Sequence, residues 1–151
     1  MKRIYFALYI GFYAGVIWGL FAYIGYYIKF STIKPNFLIT PFVKKSFIST
    51  WEGHLLGLFA FILYSIAAAL IYAWMLYKRK GAWPGIAFGL VWWVLMYAFV
   101  GPYFDMLPSL KSLSTETWLS ESCRHILWGV FIGYSITLEF TDERVREPAR
   151  P

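Results

Sequence analysis

Cysteine is all but missing from this sequence: Cys123 stands alone among 151 residues. A single thiol excludes an intramolecular disulfide and any metal site built from several cysteines. The expectation for it is a buried, unreactive thiol. Charge is scarce too. Asp, Glu, Lys and Arg make up 15% of the chain, against roughly 25% in ordinary soluble domains. The common catalytic and nucleotide motifs are also lacking. There is no Gly-x-x-x-x-Gly-Lys-Ser/Thr phosphate loop, no Gly-x-Gly-x-x-Gly turn and no His-Glu-x-x-His zinc helix. No Gly-x-Ser-x-Gly elbow is found, and Gly133-Tyr134-Ser135 sits on a packing helix without the strand-to-helix turn that exposes a nucleophile. No cofactor is expected, and an enzyme is the least favoured of the function classes.

What the chain has in abundance is apolar surface. Apolar types reach 60% and aromatics 23%, a balance that fits a membrane protein with wide interfacial belts. The net charge of +6 would suggest nucleic acid in a soluble protein. Here the cations sit beside apolar runs and no basic-aromatic nucleic-acid fold motif is present. Anionic headgroups and membrane topology explain the charge better, and no nucleic-acid partner is expected.

The chain reads as an all-α, polytopic four-helix transmembrane bundle over residues 1–140, with a charged, proline-containing tail over 141–151 that is expected to lack fixed structure. The first span, Ile4 to Ile28, has no charge and no small-x-small cleavage site, so it reads as a retained helix rather than a signal peptide. The second covers 53–77, ended by Lys78-Arg79-Lys80. The third covers 82–104, with Pro84 in its first turn and Gly101-Pro102 loosening its far end. The apolar core of the fourth is too short to cross alone, so the helix starts near Trp118 and covers 118–140. Ser49-x-x-Glu52 fits a capping box for the second span. Thr40-Pro41 followed by Phe42, Val43, Phe47 and Trp51 fits a short interfacial helix over 41–51 or, equally, an irregular loop.

Lys and Arg are divided eight to six between the two ends. Lys2, Arg3, Lys78, Arg79, Lys80, Arg144, Arg146 and Arg150 lie on one side, and Lys29, Lys34, Lys44, Lys45, Lys111 and Arg124 on the other. The positive-inside rule then places both termini in the cytoplasm of a multi-pass plasma-membrane protein.

Every span carries glycines four apart: Gly11, Gly15 and Gly19; Gly53 and Gly57; Gly81, Gly85 and Gly89; Gly129 and Gly133. Such strips let two backbones approach closely, which matters in lipid, where no hydrophobic drive brings helices together. The simpler reading is packing within one chain. The sharper one turns the first strip outward, towards a second copy or another membrane protein, with Tyr5, Tyr9 and Tyr13 as an aromatic edge opposite. In that reading Gly15→Leu abolishes a dimer and leaves the monomer folded.

One polar constellation stands out. Topology brings Glu52, His54, Asp105, Glu121, Arg124 and His125 to a single membrane face, with Glu121 spaced to meet Arg124 at i+3 and His125 at i+4. The bland reading is helix-end residues, with Arg124 and His125 reaching to the headgroups. The functional readings are a proton-sensitive switch or a weak zinc site from His54, His125 and Glu121. Ser135 and Thr137 are expected to bond to carbonyls or to a neighbouring helix. Glu139 reads as a water-facing residue near the cytoplasmic end. Of the adjacent Trp92 and Trp93, one is expected in the bundle and the other towards lipid. The remaining aromatics, including Trp51, Trp74, Trp83, Trp118, Tyr77 and Tyr103, fit the interfacial belts.

Three stretches together resemble a known family: the run Leu127 to Phe140 (LWGVFIGYSITLEF), the hairpin Lys80-Gly81-Ala82-Trp83-Pro84-Gly85-Ile86, and the opening strip of Gly11, Gly15 and Gly19. They are similar to the YqhR family, small uncharacterised multi-spanning membrane proteins of Bacillus-type bacteria, over most of the chain. The resemblance implies a plasma membrane and four helical spans. Its motifs are packing motifs, so it brings no activity and no functional residue. The leading expectation is a non-enzymatic membrane protein acting through glycine-mediated helix contacts with itself or another membrane protein. The alternative is a ligand- or ion-handling protein that uses the polar face with His54 and His125.

Overall fold

The computed structural model describes residues 2–141; the expectation for the tail, and the three cations it carries, fall outside these. Four long helices dominate. Helix α1 spans Arg3–Tyr27 and α3 Trp51–Met75. Helix α4 spans Trp83–Val94 and runs on through a π-helical stretch, Leu95–Val100, into a single turn, α5, Gly101–Tyr103. Helix α6 spans Thr115–Thr141. Between α1 and α3 there is only a 3₁₀ turn, Phe37–Ile39, and one helical turn, α2, Lys45–Ile48. Among the described residues there is no strand.

Arg3–Tyr27, Trp51–Met75 and Trp83–Tyr103 are long and apolar enough to cross a bilayer. Helix α6 matches them in length with 27 residues but carries Glu116, Glu121, Arg124 and Glu139. It begins three residues before the expected start.

Local chemistry sets the helix ends. Helix α1 stops in a Schellman motif: Phe30 N–H bonds the Gly25 carbonyl at 2.9 Å and Lys29 N–H that of Tyr26 at 3.1 Å, with Lys29 in the left-handed region at φ 63°. Turn α5 ends the same way, Met106 N–H on Gly101 O at 2.8 Å with Asp105 at φ 54°. Pro102 has no N–H to offer the preceding turn, and the α register gives way to π just before it. Helix α3 is capped one residue later than the expected box: Thr50, not Ser49, accepts from Gly53 N–H at 3.1 Å. Glu52 still sits in the first turn, where the helix dipole favours a carboxylate.

Of the two readings left open for 41–51, the structure has the largely irregular one, with only Lys45–Ile48 helical. The chain just before it, residues 33–39, turns inward, and of 41–51 Ile48 alone joins it. Ile33, Phe37, Ile39, Ile48 and the uncharged polar Asn36 are all buried. It is a folded plug over the end of the bundle, not an amphipathic rod lying flat.

The helices form two antiparallel pairs, α1 with α3 and α4 with α6, joined mainly through α1 and α6. A methyl group at Gly11 would lie 2.6 Å from the Ile66 Cα, and one at Gly15 2.6 Å from the Ile62 Cα. At Gly19 it would meet Leu58. The first strip therefore faces α3, which corrects the reading that turns it outward. Tyr5, Tyr9 and Tyr13 do lie on the exposed side. In the other pair, a methyl at Gly85 would lie 2.8 Å from Gly129 O and from the Val130 Cα. Gly89 meets the His125 carbonyl. Gly81 lies outside the helix in a turn at φ 89° with open space around it.

Gly53, Gly57 and Gly133 do not face the backbone of another long helix. Gly53 lies under the Phe47 and Ile48 carbonyls, Gly57 receives Asn36, and Gly133 receives the Tyr72 ring.

The core is aromatic. Trp128 stacks on Tyr64, 5.6 Å between centroids and 13° between planes, and on Phe88 at 6.2 Å. Its indole N–H donates to Ser65 Oγ at 2.8 Å. Trp92 meets Tyr64 edge-on at 5.1 Å, while Trp93 is buried against Tyr97 and Trp118. Trp93 is thus the tryptophan packed in the bundle, while Trp92 is half-buried, resting on Tyr64 and Trp128 with the rest of its surface open. Cys123 departs from expectation: it is exposed, on the side of α6 away from its neighbours.

At one end, the Arg3 guanidinium lies 4.0 Å over the Tyr77 ring, Phe6 meets Phe140 edge-on at 5.6 Å and Thr137 Oγ1 donates to Arg79 O at 3.2 Å. Thr141 back-bonds to Thr137 O.

Gly15→Leu should now break the α1–α3 pair rather than spare the monomer. The obstructing atom at Gly15 is backbone, so it has no rotamer to escape into, and overpacking of this kind costs about 1–3 kcal/mol or more. Thermal melting in one detergent checks this; an unchanged midpoint would contradict the packing described.

Candidate functional site: a buried ion pair between the α1–α3 segment, α4 and α6

Glu121 lies two turns into α6 and is 3% exposed. A carboxylate there has to be ligated on both oxygens, because lipid offers no hydrogen bonds. Three elements supply the donors. The left-handed turn at Lys29 sends the chain back so that Ser31 points inward, and its Oγ donates to Glu121 Oε1 at 2.6 Å. Tyr97, in the π-helical stretch, donates to Oε2 at 2.5 Å. Arg124, one turn along α6, forms an ion pair with the same oxygen, and its side chain is 12% exposed. Arg124 Nη2 also lies 3.4 Å from the Tyr97 hydroxyl.

A second layer fixes these groups. Ser31 Oγ accepts from Ile33 N–H at 3.2 Å. Thr117, one turn before Glu121, accepts from Thr32 N–H at 3.1 Å and from Ser114 Oγ at 3.0 Å. Trp118 Nε1 donates to Leu110 O at 2.9 Å. The segments before α3 and after α5 are thus both tied to the start of α6.

His125 is buried on the other side of Glu121. Its Nδ1 lies 2.9 Å from the Glu121 backbone carbonyl. A carbonyl only accepts, so Nδ1 carries a proton there. The ring packs edge-on against Tyr97 at 5.5 Å and Trp128 at 5.8 Å. The expected carboxylate–imidazole contact is therefore a backbone contact. Arg124 and His125 face inward and do not reach to the headgroups, because α4 and α3 cover that side of α6.

The six residues expected on one face separate into two groups. Glu121, Arg124 and His125 come together. Glu52 and Asp105 stay exposed at helix ends. His54 packs edge-on against the Tyr23 ring at 5.4 Å, with its backbone carbonyl accepting from Tyr23 Oη at 2.8 Å. Among the described residues no three of His, Cys, Asp and Glu gather as metal ligands would, so the zinc arrangement of His54, His125 and Glu121 is not assembled. The polar residues missed by sequence reasoning are Ser31, Thr32, Tyr97 and Thr117. Thr117 stands at i−4 from Glu121, a spacing visible in the sequence; Ser31 carries no such signal, since only the chain reversal brings it in.

Three buried donors nearby have no partner among the described residues: Arg124 Nε, the Tyr64 hydroxyl and Trp93 Nε1. Such groups are where bound water or ligand atoms are normally found.

Glu121→Gln and Arg124→Gln should each cost about 3–5 kcal/mol, since each leaves the other charge buried and alone. The double variant should cost clearly less than the sum. A denaturation cycle over the four proteins measures this, and additive losses would show that the two groups do not act as a pair.

Comparison with known proteins agrees with the geometry. The profile of a conserved membrane protein family, YqhR, matches residues 1–150. The chain is 37% identical over 144 residues to a Bacillus subtilis (strain 168) protein described as uncharacterised protein YqhR, covering 93% of this chain and 79% of that one. No solved structure matches. The chain belongs to the YqhR family of conserved membrane proteins.

Proposed function

We propose that this protein is a non-enzymatic plasma-membrane protein that handles a ligand or ion at one end of its bundle, through the Glu121–Arg124 pair. The supporting observation is the pair itself. An apolar bundle has buried a carboxylate and a guanidinium near one end, and ionisable groups within membrane helices are rare unless they have work to do. Ser31 and Tyr97 connect the pair to two other elements, so a change at Glu121 reaches the α1–α3 segment and α4 at once.

The competing reading, association with a second copy or another membrane protein through a glycine strip, has less to draw on. Gly11, Gly15, Gly19, Gly53, Gly57, Gly85, Gly89, Gly129 and Gly133 are all buried within the chain. No strip of them remains for a partner.

Both termini face the cytoplasm in this reading. The start of α1, the α3–α4 hairpin and the end of α6 share one end, which holds Lys2, Arg3, Lys78, Arg79 and Lys80. Arg124 is neutralised internally, so the opposite end keeps only Lys29, Lys34, Lys44, Lys45 and Lys111 as free cations among those counted there. With the three arginines of the tail counted on the cytoplasmic side, as in the sequence, the division becomes eight to five in favour of cytoplasmic termini. The ligand-handling end is then extracytoplasmic.

Wild type and the Glu121→Gln/Arg124→Gln double variant, purified in one detergent, can be melted against a panel of salts and small polar solutes. The proposal expects a solute that raises the wild-type midpoint and leaves the double variant unmoved. A wild-type midpoint that no solute moves overturns it, and a dimer band in crosslinked native membranes would then favour association.

A further inference from the structure

Helix α4 holds one residue more than a regular helix would. Gly101 N–H bonds the Met96 carbonyl, five residues back, whereas Phe104 N–H bonds Val100 O, four back, at 3.1 Å. The extra residue therefore lies between Met96 and Gly101. Only glycine suits the far end of that turn. A methyl group at Gly101 would lie 2.7 Å from Met96 O, the carbonyl its own N–H bonds, and 2.5 Å from Leu107 Cδ1. Pro102 follows, and lacking an N–H it leaves one rung of the backbone ladder empty in either register. Few backbone bonds thus favour this register over the regular one.

Two contacts from outside the helix hold the stretch. Tyr97 is buried at its middle and donates to Glu121 Oε2 at 2.5 Å. Beyond it, the Met106 and Leu107 N–H groups both bond Gly101 O, at 2.8 and 3.3 Å, and the Leu107 side chain packs on Gly101. Leu107 shares a buried cluster with Ile33, Phe37, Trp93 and Tyr97. With Ile33 and Phe37 it also lines a cleft of about 380 Å³ between the α1–α3 segment and the chain after α5. A line of contact thus runs from Glu121 through the π-helical stretch to the wall of that cleft.

We propose that the π-helical stretch of α4 is a register switch, latched by the Tyr97–Glu121 hydrogen bond. Such stretches are rare and occur mostly as single-turn insertions at functional sites. While the bond is made, the extra residue stays in place. When it is lost, residues 95–100 return to the α register. Everything beyond them then turns by about 100° and advances by about 1.5 Å, the share of one residue. Gly101 leaves Leu107, and the cleft wall that Leu107 provides moves. The trigger rests on the function proposed above: a ligand or ion that takes Glu121 Oε2 from Tyr97 releases the latch. The switch itself does not depend on that reading.

Pulsed electron-paramagnetic distance measurement on the full chain in nanodiscs tests the proposal. Cys123 is exposed on α6 and takes one spin label. The second goes on Val91→Cys before the stretch, Phe99→Cys within it or Tyr103→Cys beyond it, all three exposed positions. A side chain on the helix surface, about 5–6 Å from the axis, moves about 8 Å in a turn of this size. Tyr97→Phe removes the hydroxyl and keeps the ring. It should shift the Phe99 or the Tyr103 distance by several ångströms and leave the Val91 distance alone. Gly101→Ala keeps both Tyr97 and Glu121, and should give the same shift through its clash with Met96 O. Wild-type distances in Tyr97→Phe overturn the latch, and wild-type distances in Gly101→Ala overturn the register change. A Val91 distance that moves with the others shows a shift of the whole helix and also overturns the switch. No solute is present, so the result can fail while the solute response of the ion pair stands.

Discussion

A carboxylate removed from water has to find its hydrogen bonds inside the protein, and much of the end of this bundle is arranged around that demand at Glu121. One oxygen is met from the segment after α1, the other from α4 and from α6 itself. Each donor needs a local departure from regular helix. Ser31 arrives only because Lys29 takes a left-handed conformation, which costs a residue with a side chain about 1–2 kcal/mol. Tyr97 lies in a π-helical stretch, a form met mostly as short insertions at functional sites. The irregular features of the fold thus gather where the charge is buried.

A second constraint is how closely the backbones can approach. The glycines of α1 and of α4 and α6 let antiparallel helices meet at distances that no Cβ would allow. Elsewhere glycine acts as a socket for a side chain: Gly133 for the Tyr72 ring, Gly57 for Asn36. The aromatic cluster around Trp128 fills the volume between the two helix pairs, and rings in stacked and edge-on contact gain about 0.5–1.5 kcal/mol per pair beyond their burial. Close backbones at the crossings and large rings between them make the interior continuous from the Arg3–Tyr77 end to Glu121.

The long helices were legible because each is an uninterrupted apolar run ended by charge or by proline, and those signals are local. The first span, read as 4–28, is the helix Arg3–Tyr27; the third, read as 82–104, lies over Trp83–Tyr103. What was not legible depends on the chain meeting itself. The 41–51 segment has helical spacing, but it forms only one turn, most of it stays exposed, and Ile48 alone is held inward, where Asn36 bonds its carbonyl. Helix periodicity placed Glu121, Arg124 and His125 on one side of α6, yet could not say that this side faces the interior. It said nothing of Ser31, ninety positions away in the chain. Glu52 and Asp105 share the membrane face with the pair but lie at its exposed margin, a distinction that needs lateral position within the bundle. Cys123 was misjudged by its type, since free thiols are usually buried; its helix turns it outward.

Stability alone does not explain why the pair exists. Replacing a buried ion pair by well-packed apolar residues is often neutral or favourable, and this bundle has leucine, isoleucine and aromatic side chains in quantity. A purely structural solution at positions 31, 97, 121 and 124 would be simpler and would leave no unpartnered donor at position 124. In the function proposed above, the charged arrangement does one thing an apolar one would not: through Ser31 it ties Glu121 to the segment bearing Thr32, Lys34 and Asn36. That segment also forms a wall of the neighbouring cleft. The buried pair and the neighbouring cleft are therefore joined through one short stretch of chain, residues 31–36.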